Sequence, residues 1–240
     1  MHYGIIAAGE GSRLATEGAA ACKPMIPLQG EPMIGRLLHL MARNGAEGIA
    51  LILNPAMPEA LEYVETLRPE LGVPVEITVK ATPSSMHSFY EISRMLKGKG
   101  RFIATTVDTV FHPDAFCGYA RAWSHAPADC DGMMAVTQYI DDEKPLYIET
   151  AGESLEIKAF RDAPWPGVKY ISGGIYGLDS KAIAVLEECM DRGVSRMRNF
   201  QRALLEGGLR IEGYDMGKIL DVDHIGDIAK AEAFLRGGTY

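Results

Sequence analysis

Apolar runs alternate with helical periodicity through the first half of the chain. Short runs of the kind that form buried strands occupy residues 3–8, 49–53, 75–79 and 102–107. The segments between them carry apolar residues at helical spacing, over residues 33–41, 58–67 and 86–96. A proline stands at the start of the first two, and Gly45 follows the first where a glycine commonly ends a helix. The alternation predicts strands joined by right-handed helical crossovers, and hence a parallel sheet.

The pattern changes after residue 133. Strand-like runs follow one another up to residue 160 with no helical segment between them, which predicts antiparallel strands added to the sheet. A strand over 175–178 is followed by helices over 183–190 and 197–205, then by strands over 209–214 and 219–222 and a last helix over 225–235. We therefore predict an α/β fold with a mixed, mostly parallel sheet.

Length and composition favour one globular domain. The chain has 240 residues, 47% hydrophobic and 23% charged, as is ordinary for a single domain, here residues 1–240. A formal charge of -8 disfavours a nucleic-acid partner, because binding the phosphate backbone needs a basic surface. The four cysteines lack CxxC spacing, which is typical of a reducing compartment, and no run reaches the ~18 apolar residues of a spanning helix. We expect a cytoplasmic protein without membrane association, and we leave open whether it forms a homo-oligomer.

The loop after the first strand carries the first candidate chemistry. It reads Ala7-Ala8-Gly9-Glu10-Gly11-Ser12-Arg13-Leu14, and Lys23 follows. Glycines let backbone N–H groups approach an anion, and Arg13 with Lys23 could neutralise several phosphate charges. The loop lacks the Gly-Lys-Ser/Thr of a Walker A motif, and Leu14 stands where a dinucleotide fingerprint has its third glycine. A triphosphate is therefore the expected ligand.

These residues resemble the opening signature of the sugar nucleotidyltransferases, AGGxGTRL followed by PKPM. Ala8 replaces one glycine, Ser12 replaces the threonine, and Lys23 falls at the family's distance from Arg13. The following residues are similar to the family's entry into its first helix, with the sequence Gly30-Glu31-Pro32-Met33-Ile34. Thr16-Glu17-Gly18 and Cys22 depart from the pattern.

The resemblance implies a fold and a set of roles. The implied fold is the three-layer α/β/α, Rossmann-like fold of nucleotide-diphospho-sugar transferases. From the length of 240 residues we expect no appended β-helix or acyltransferase domain. Lys23 is implied to contact the α-phosphate and Arg13 the leaving phosphates, as the two catalytic residues. The implied nucleotide-binding residues are Ala7, Ala8, Gly9, Gly11 and Ser12 in the loop, then Thr82, Ser84, Ser85 and Ser88 where the family binds the base. Helix capping is an equal alternative for Ser84 and Ser85.

Three aspartates are candidate ligands for Mg²⁺, the expected cofactor. Asp108 follows a buried strand, at the sheet edge where open α/β sheets bind ligands. Magnesium prefers one or two protein carboxylates plus substrate phosphates, so a second aspartate from another loop is expected. Asp221 and Asp223 are the candidates, in a segment similar to the family's D-I-D-T-P-E-D, and the sequence does not choose between them. Asp223 could instead cap the last helix from its N-cap position.

The acceptor side departs most from the family. The segment Ser172-Gly173-Gly174-Ile175-Tyr176 is similar to the N-A-G-I-Y strand of the sugar pocket, which assigns Gly174 to it. The family's Glu-Lys-Pro is replaced by Asp162-Ala163-Pro164, so that Ala163 stands where a lysine usually contacts the acceptor phosphate. We assign Asp162 and Lys169 to the acceptor, and Arg161 or Lys169 could substitute for the missing lysine.

These features predict a magnesium-dependent nucleotidyltransferase that joins a nucleoside triphosphate to a sugar 1-phosphate and releases pyrophosphate. The segment from Lys80 to Ser88 resembles a cytidylyltransferase-like branch equally well, so the base stays open, and so does a non-sugar acceptor such as phosphocholine. A non-catalytic nucleotide-sugar-binding protein is a further alternative, motivated by the missing lysine. A dinucleotide-dependent oxidoreductase is disfavoured by Leu14 and by the pair Arg13 and Lys23.

Overall fold

The computed structural model describes residues 1–141, 143–152 and 154–237. In this part of the chain the strands are β1 (His2–Ala7), β2 (Pro27–Leu28), β3 (Glu31–Pro32), β4 (Gly48–Leu53), β5 (Val75–Val79), β6 (Phe102–Thr106), β7 (Thr109–Val110), β8 (Gly132–Thr137), β9 (Tyr147–Thr150), β10 (Ile157–Arg161), β11 (Tyr170–Leu178), β12 (Ile211–Asp215) and β13 (Leu220–Asp221). The helices are α1 (Ser12–Thr16), α2 (Met33–Arg43), α3 (Pro58–Leu67), α4 (Ser85–Leu96), α5 (Pro113–Ser124), α6 (Ser180–Asp191), α7 (Met197–Glu206) and α8 (Ile225–Arg236).

One large sheet runs through the molecule in the order β10-β9-β11-β6-β1-β4-β5, with β8 paired to β11 and β12 paired to β8. The half built from β5, β4, β1 and β6 is parallel, as the alternation of strands and helices requires. The other half is mixed: β11 pairs antiparallel with β6, β8 and β9, whereas β12 pairs parallel with β8. Antiparallel strands therefore extend a parallel sheet, as the sequence predicts.

Helices cover both faces of this sheet, because its strands are apolar on both sides. Tyr3 and Ile5 of β1 pack into one core cluster with α2, α3, α5 and α8. Ile6, which points to the opposite face of the same strand, packs into a second cluster with α4, α6 and α7. This arrangement confirms the predicted three-layer α/β/α fold with a mixed sheet.

Two helices were absent from the sequence-based prediction. Residues 113–124 form α5. The sequence does contain a signal for this helix, because Pro113 stands in the first turn and the buried residues Phe116, Tyr119 and Trp123 have helical spacing. The glycine-containing loop after β1 also contains the short helix α1. This helix starts directly after Gly11, whose backbone is in the left-handed conformation.

Two ribbons of two-residue strands lie outside the large sheet. β2 pairs with β3, and β7 pairs with β13 in antiparallel register, Leu220 opposite Val110 and Asp221 opposite Thr109. The second ribbon joins residues more than a hundred positions apart in the sequence, and it decides which side chains meet at the sheet edge. Among the residues described, no helix has the length and apolar character needed to cross a membrane.

Candidate active site

The loop after β1 leaves the sheet at its carboxyl edge and is held there by a buried amide. Asn54, directly after β4 and only 6% exposed, donates from Nδ2 to the carbonyl oxygen of Ala8 at 3.0 Å. Gly11 has φ +60°, and a Cβ on it would lie 3.0 Å from the Cβ of Lys23. Only glycine combines that backbone conformation with so close a neighbour, so Gly11 lets the lysine return beside the loop.

Lys23 joins two carboxylates that come from distant parts of the chain. Its Nζ lies 2.5 Å from Oδ2 of Asp108 and 2.6 Å from Oδ1 of Asp223. The lysine side chain is 10% exposed, so these charge-assisted contacts lie mostly out of water. We call these three residues the carboxylate–lysine cluster. Arg13 reaches the same aspartate from the solvent side, with Nη1 2.8 Å from Oδ2 of Asp223.

The charges of the cluster stabilise one another. Burial opposes the charged form of Lys23, but the charges of Asp108 and Asp223 outweigh it, so the pKa of Lys23 is raised above its ordinary value. Burial likewise opposes ionisation of Asp108, but the ammonium of Lys23 and a hydrogen bond from Thr106 hold the pKa of that carboxyl below its ordinary value. At neutral pH Lys23 is therefore an ammonium and Asp108 a carboxylate.

The ribbon of β7 and β13 brings Asp223 to Asp108. The backbone N–H of Val222 donates to the carbonyl oxygen of Asp108 at 3.1 Å, which continues the ladder by one step. Asp221 lies on the same ribbon, but its Oδ1 accepts a hydrogen bond from Thr109 Oγ1 at 3.1 Å. The two aspartates that the sequence could not separate thus have different surroundings: Asp223 is in the cluster and Asp221 lies beside β7.

The start of α8 is capped by groups other than Asp223. His224 occupies the N-cap position, and the carboxylate of Asp227 accepts from the backbone N–H groups of Asp223 and His224. The alternative that Asp223 caps this helix is therefore wrong, because its carboxylate is turned toward Lys23. Glu17, just after α1, accepts from the N–H of Ile225 at 2.8 Å and contacts His224 Nδ1 at 2.5 Å.

A cavity of about 440 Å³ lies on one side of the cluster. Its lining includes Lys23 and Asp108 together with these predicted nucleotide-binding residues: Ala8, Gly9, Gly11, Ser12, Thr82, Ser84, Ser85 and Ser88. Ala7, also predicted, is buried in the core layer of α2 and α3 instead. The hydroxyls of Thr82 and Ser88 lie 2.6 Å apart. Ser84 is the N-cap of α4 by position, but its hydroxyl contacts His87 Nδ1 at 2.9 Å rather than the helix backbone.

A second cavity, of about 380 Å³, lies on the other side of the cluster. Arg13 and Asp223 line it, opposite Ser172 and Gly173 of β11. Arg13 therefore faces this second cavity, whereas the resemblance assigns it to the leaving phosphates. The charged residues around it are mainly acidic; besides Arg13 and Asp223 they are Asp141, Glu143, Asp221, Asp227, His224 and Lys230.

The predicted acceptor residues Asp162 and Lys169 lie away from the second cavity. Asp162 forms ion pairs with Arg198 at 2.6 Å and Arg202 at 2.7 Å, and Lys169 is exposed. Arg161 contacts Glu149 at 2.5 Å. None of these residues is among the described residues that line the second cavity.

Gly174 supports the site from β11. It has φ +73°, and a Cβ on it would lie 2.7 Å from Thr109 Oγ1. This glycine therefore allows β11 to pass close to the turn that carries Asp108. Thr109 also bonds to Thr106 across that turn, with 2.7 Å between their hydroxyl oxygens.

Several residues of the site were missed from the sequence. Asn54 and Thr109 follow strand ends at the ligand-binding edge, the same signal that identified Asp108. Glu17 lies in a segment noted only as a departure from the family pattern. No motif in the sequence around Glu143 marks it as a site residue. It belongs to the site because its carboxylate lies 3.8 Å from Arg13 and 3.2 Å from His224.

The donor set of the cluster fits a magnesium ion. Two carboxylates from separate segments already converge on one cation, the ammonium of Lys23. Magnesium is commonly bound by one or two carboxylates with substrate phosphates completing the coordination. Among residues 1–141, 143–152 and 154–237 no group of three or more His, Cys, Asp or Glu residues is suited to a metal, so a site completed by protein ligands alone is not found there.

The sequence of the chain matches known proteins along most of its length. Residues 4–164 match the family described as MobA-like NTP transferase domain. The bifunctional protein GlmU of Methanococcus maripaludis is 24% identical over 232 residues, which cover 95% of this chain and 52% of that protein. GlmU of Methanococcus vannielii is also 24% identical, over 91% of this chain and 52% of its own length. The chain thus spans about half the length of these relatives.

Solved structures share the fold at low sequence identity. A putative glucose-1-phosphate thymidylyltransferase from Bacillus anthracis superposes with a TM-score of 0.82 and 20% identity, covering 100% of this chain and 97% of that one. The inositol-1-phosphate CTP transferase from T. maritima superposes with a TM-score of 0.78 and 16% identity, with the same coverage. The fold is therefore that of nucleotidyltransferases. Since the family match extends over more than half of the sequence, the resemblance is confirmed: the chain belongs to the MobA-like NTP transferase domain family.

Proposed function

We propose that the protein transfers a nucleotidyl group from a nucleoside triphosphate to a sugar 1-phosphate, giving a nucleotide sugar and pyrophosphate. The observation that carries this proposal is the position of the carboxylate–lysine cluster between two cavities. One cavity is lined by the glycine loop and hydroxyl side chains, and the other by Arg13, Asp223 and β11. Two substrates bound in these cavities would meet at Lys23.

The reaction needs no protein nucleophile. A phosphate oxygen of the acceptor forms the new bond to the α-phosphorus while the bond to the β-phosphate oxygen breaks, and pyrophosphate leaves with that electron pair. Lys23 lines the nucleotide cavity, from which its ammonium can stabilise the charge that develops on the α-phosphate. Arg13, on the acceptor side, can orient the attacking phosphate.

Magnesium is the cofactor that we assign to this reaction. Asp108 and Asp223 would hold it, and it would neutralise phosphate charge. Asp221, close to Thr109, supports the acceptor side in this assignment. The four cysteines are free thiols, as a reducing compartment requires, so we place the activity in the cytoplasm.

The acidic lining of the second cavity favours another class of acceptor as a second candidate. Asp141, Glu143 and Asp227 line it in addition to Asp221 and Asp223, against the cations Arg13 and Lys230. Lys230 is itself paired with Asp141 at 2.9 Å and Asp227 at 3.2 Å. A phosphorylated acceptor that also carries a cation, such as phosphocholine, would balance this excess of negative charge better than a neutral sugar does.

The test is a grid of the common nucleoside triphosphates against glucose 1-phosphate, inositol 1-phosphate and phosphocholine, measured by magnesium-dependent pyrophosphate release. We expect one acceptor class to be used, and Lys23→Ala to lower its kcat/KM by at least ~100-fold, since loss of one preorganised charge has an effect of that order. Lys97→Ala is the matched control, because Lys97 is 57% exposed and pairs with Glu187 on the protein surface. Nucleotide binding without pyrophosphate release from any pair would instead support a binding protein.

A further inference from the structure

Lys23 occupies the position that a bound cation would take between Asp108 and Asp223. Its Nζ is 2.5 and 2.6 Å from the nearest carboxylate oxygens of the two aspartates. A magnesium ion bound to the same two carboxylates would need its ligand oxygens at about 2.0–2.1 Å. The ammonium and the metal ion therefore cannot both lie between these oxygens, because they would need the same space and carry charge of the same sign.

The other contacts of the two aspartates strengthen this exclusion. Arg13 takes the second oxygen of Asp223, with Nη1 2.8 Å from Oδ2, while Lys23 takes Oδ1. Asp108 also accepts a hydrogen bond from Thr106. Two carboxylates are thus matched by two protein cations. A metal ion arriving alone meets carboxylates whose charge is already neutralised.

A triphosphate changes this balance because it offers Lys23 another anion. Lys23 lines the glycine-loop cavity, and the lysine ammonium is a point charge on a flexible four-carbon stem. A phosphate in that cavity can draw the ammonium away from the aspartates. The two carboxylates are then released for a metal that also binds the phosphates.

Resting on the proposed function, we propose that Lys23 is the resident counter-ion of the metal site, so that metal and nucleotide bind as a linked pair. In the absence of nucleotide the lysine holds the two carboxylates together and excludes the metal. Nucleotide binding raises the affinity for the metal, and the metal raises the affinity for nucleotide by the same factor, as reciprocal linkage requires. Lys23 thus has one role before nucleotide binds and another, toward the α-phosphate, afterwards.

The experiment measures Mn²⁺ binding in the absence of nucleotide, by the electron paramagnetic resonance signal of the free ion. Lys23→Met removes the ammonium and keeps much of the side-chain volume. We expect it to bind Mn²⁺ at least ~10-fold more tightly than the wild-type protein, since the occupant is removed. Arg13→Met is the matched control, because it removes one positive charge from the same Asp223 without vacating the space between the carboxylates. We expect a gain below ~3-fold from this variant, because Arg13 is 49% exposed and its charge is screened.

Adding Asp108→Asn to Lys23→Met should abolish the gain, which locates the bound ion at the cluster. If Lys23→Met does not fold, Lys23→Gln retains a donor for Asp108 and is measured in its place, with the rise in Tm on adding MnCl2 as a second readout. The proposal is overturned if the Lys23 variants bind Mn²⁺ no better than wild type, or if Arg13→Met gains as much as Lys23→Met. If either result is obtained while the wild-type enzyme releases pyrophosphate, the proposed function stands and only this inference is lost.

Discussion

Each carboxylate oxygen of Asp223 contacts a different positively charged side chain. Lys23 lies 2.6 Å from one oxygen and Arg13 lies 2.8 Å from the other. Asp221, two positions earlier, accepts instead from Thr109 and lines the second cavity. The sequence could identify this pair of aspartates but not rank them, because their difference arises from the contacts of residues far away in the chain. Asp108 was recognisable alone, because it follows a buried strand at the carboxyl edge of the sheet.

This difference predicts unequal effects of the same substitution. We expect Asp223→Asn to lower kcat/KM by at least ~100-fold and to raise the Mg²⁺ concentration needed for half-maximal rate, because it removes a charge that contacts Lys23 and that the proposed metal site needs. Asp221→Asn should leave that Mg²⁺ concentration unchanged and act mainly on the KM of the acceptor. The measurement is initial rate against Mg²⁺ and acceptor concentration. Equal Mg²⁺ dependence of the two variants would contradict the assignment.

At the scale of elements, Glu17 joins the end of α1 to the start of α8. Its carboxylate accepts from the backbone of Ile225 and contacts His224 Nδ1, and these hydrogen bonds hold its pKa below its ordinary value. The same contact raises the pKa of His224. Because Asp223 is the chain neighbour of His224, the contact between Glu17 and His224 ties the segment that carries Asp223 to the end of α1. The departure from the family pattern at residues 16–18 therefore has a structural role.

Removing this connection should affect stability and catalysis together. Glu17→Ala leaves the N-terminus of α8 with one acceptor fewer, so we expect a fall in Tm of about 2–4 °C. We also expect a several-fold lower kcat with little change in the KM for nucleotide, since Asp223 becomes less well positioned. Glu62→Ala, at an exposed position on α3, is the control and should change neither quantity. If Tm falls by the expected amount while kcat is unchanged, the role of Glu17 is structural only.

Periodicity predicted most of the long elements but not the short ones. The helices α2, α3 and α4 begin and end within a few residues of the predicted limits, because proline and glycine mark their ends. Helix α5 was missed although Phe116, Tyr119 and Trp123 carry its spacing. The ribbon of β7 and β13 could not be predicted, since two-residue strands have no period and exist only by pairing with each other.

At the scale of the whole molecule, the chemistry collects at one edge of the sheet. The glycine loop, the turn of Asp108 and the start of α4 all follow strands of the parallel half, whose carboxyl ends meet at that edge. The sequence could therefore place these segments together before the strand order was known. The residues of β11 that line the second cavity could not be placed in this way. This strand is antiparallel to β6, and it pairs with β8, which comes from another part of the chain. Asp162 and Lys169, which the resemblance assigns to the acceptor, are not among the described residues that line the second cavity.

The four thiols report on the packing of distant parts of this molecule. Cys117 lies on the exposed face of α5, whereas Cys130 and Cys189 are buried, and burial raises the pKa of both. Cys22, next to Lys23, is partly buried, and its burial and the hydrogen bond to Glu59 raise its pKa to about 12. At about pH 8 such a thiol is ionised in only about one molecule in ten thousand, and the thiolate is the reactive form.

We therefore expect one thiol to react rapidly with Ellman's reagent in the native protein, and all four to react in concentrated guanidinium. Cys117→Ser is the control, and it should remove the rapid phase while leaving the slow ones. The site of modification is read by mass spectrometry after brief exposure. A rapid second thiol at Cys22 would mean that the loop carrying Lys23 opens to solvent, because exposure removes the burial that is the largest cause of the raised pKa. A rapid reaction at Cys130 or Cys189 would contradict the packing at the start of β8 or the burial of α6, respectively.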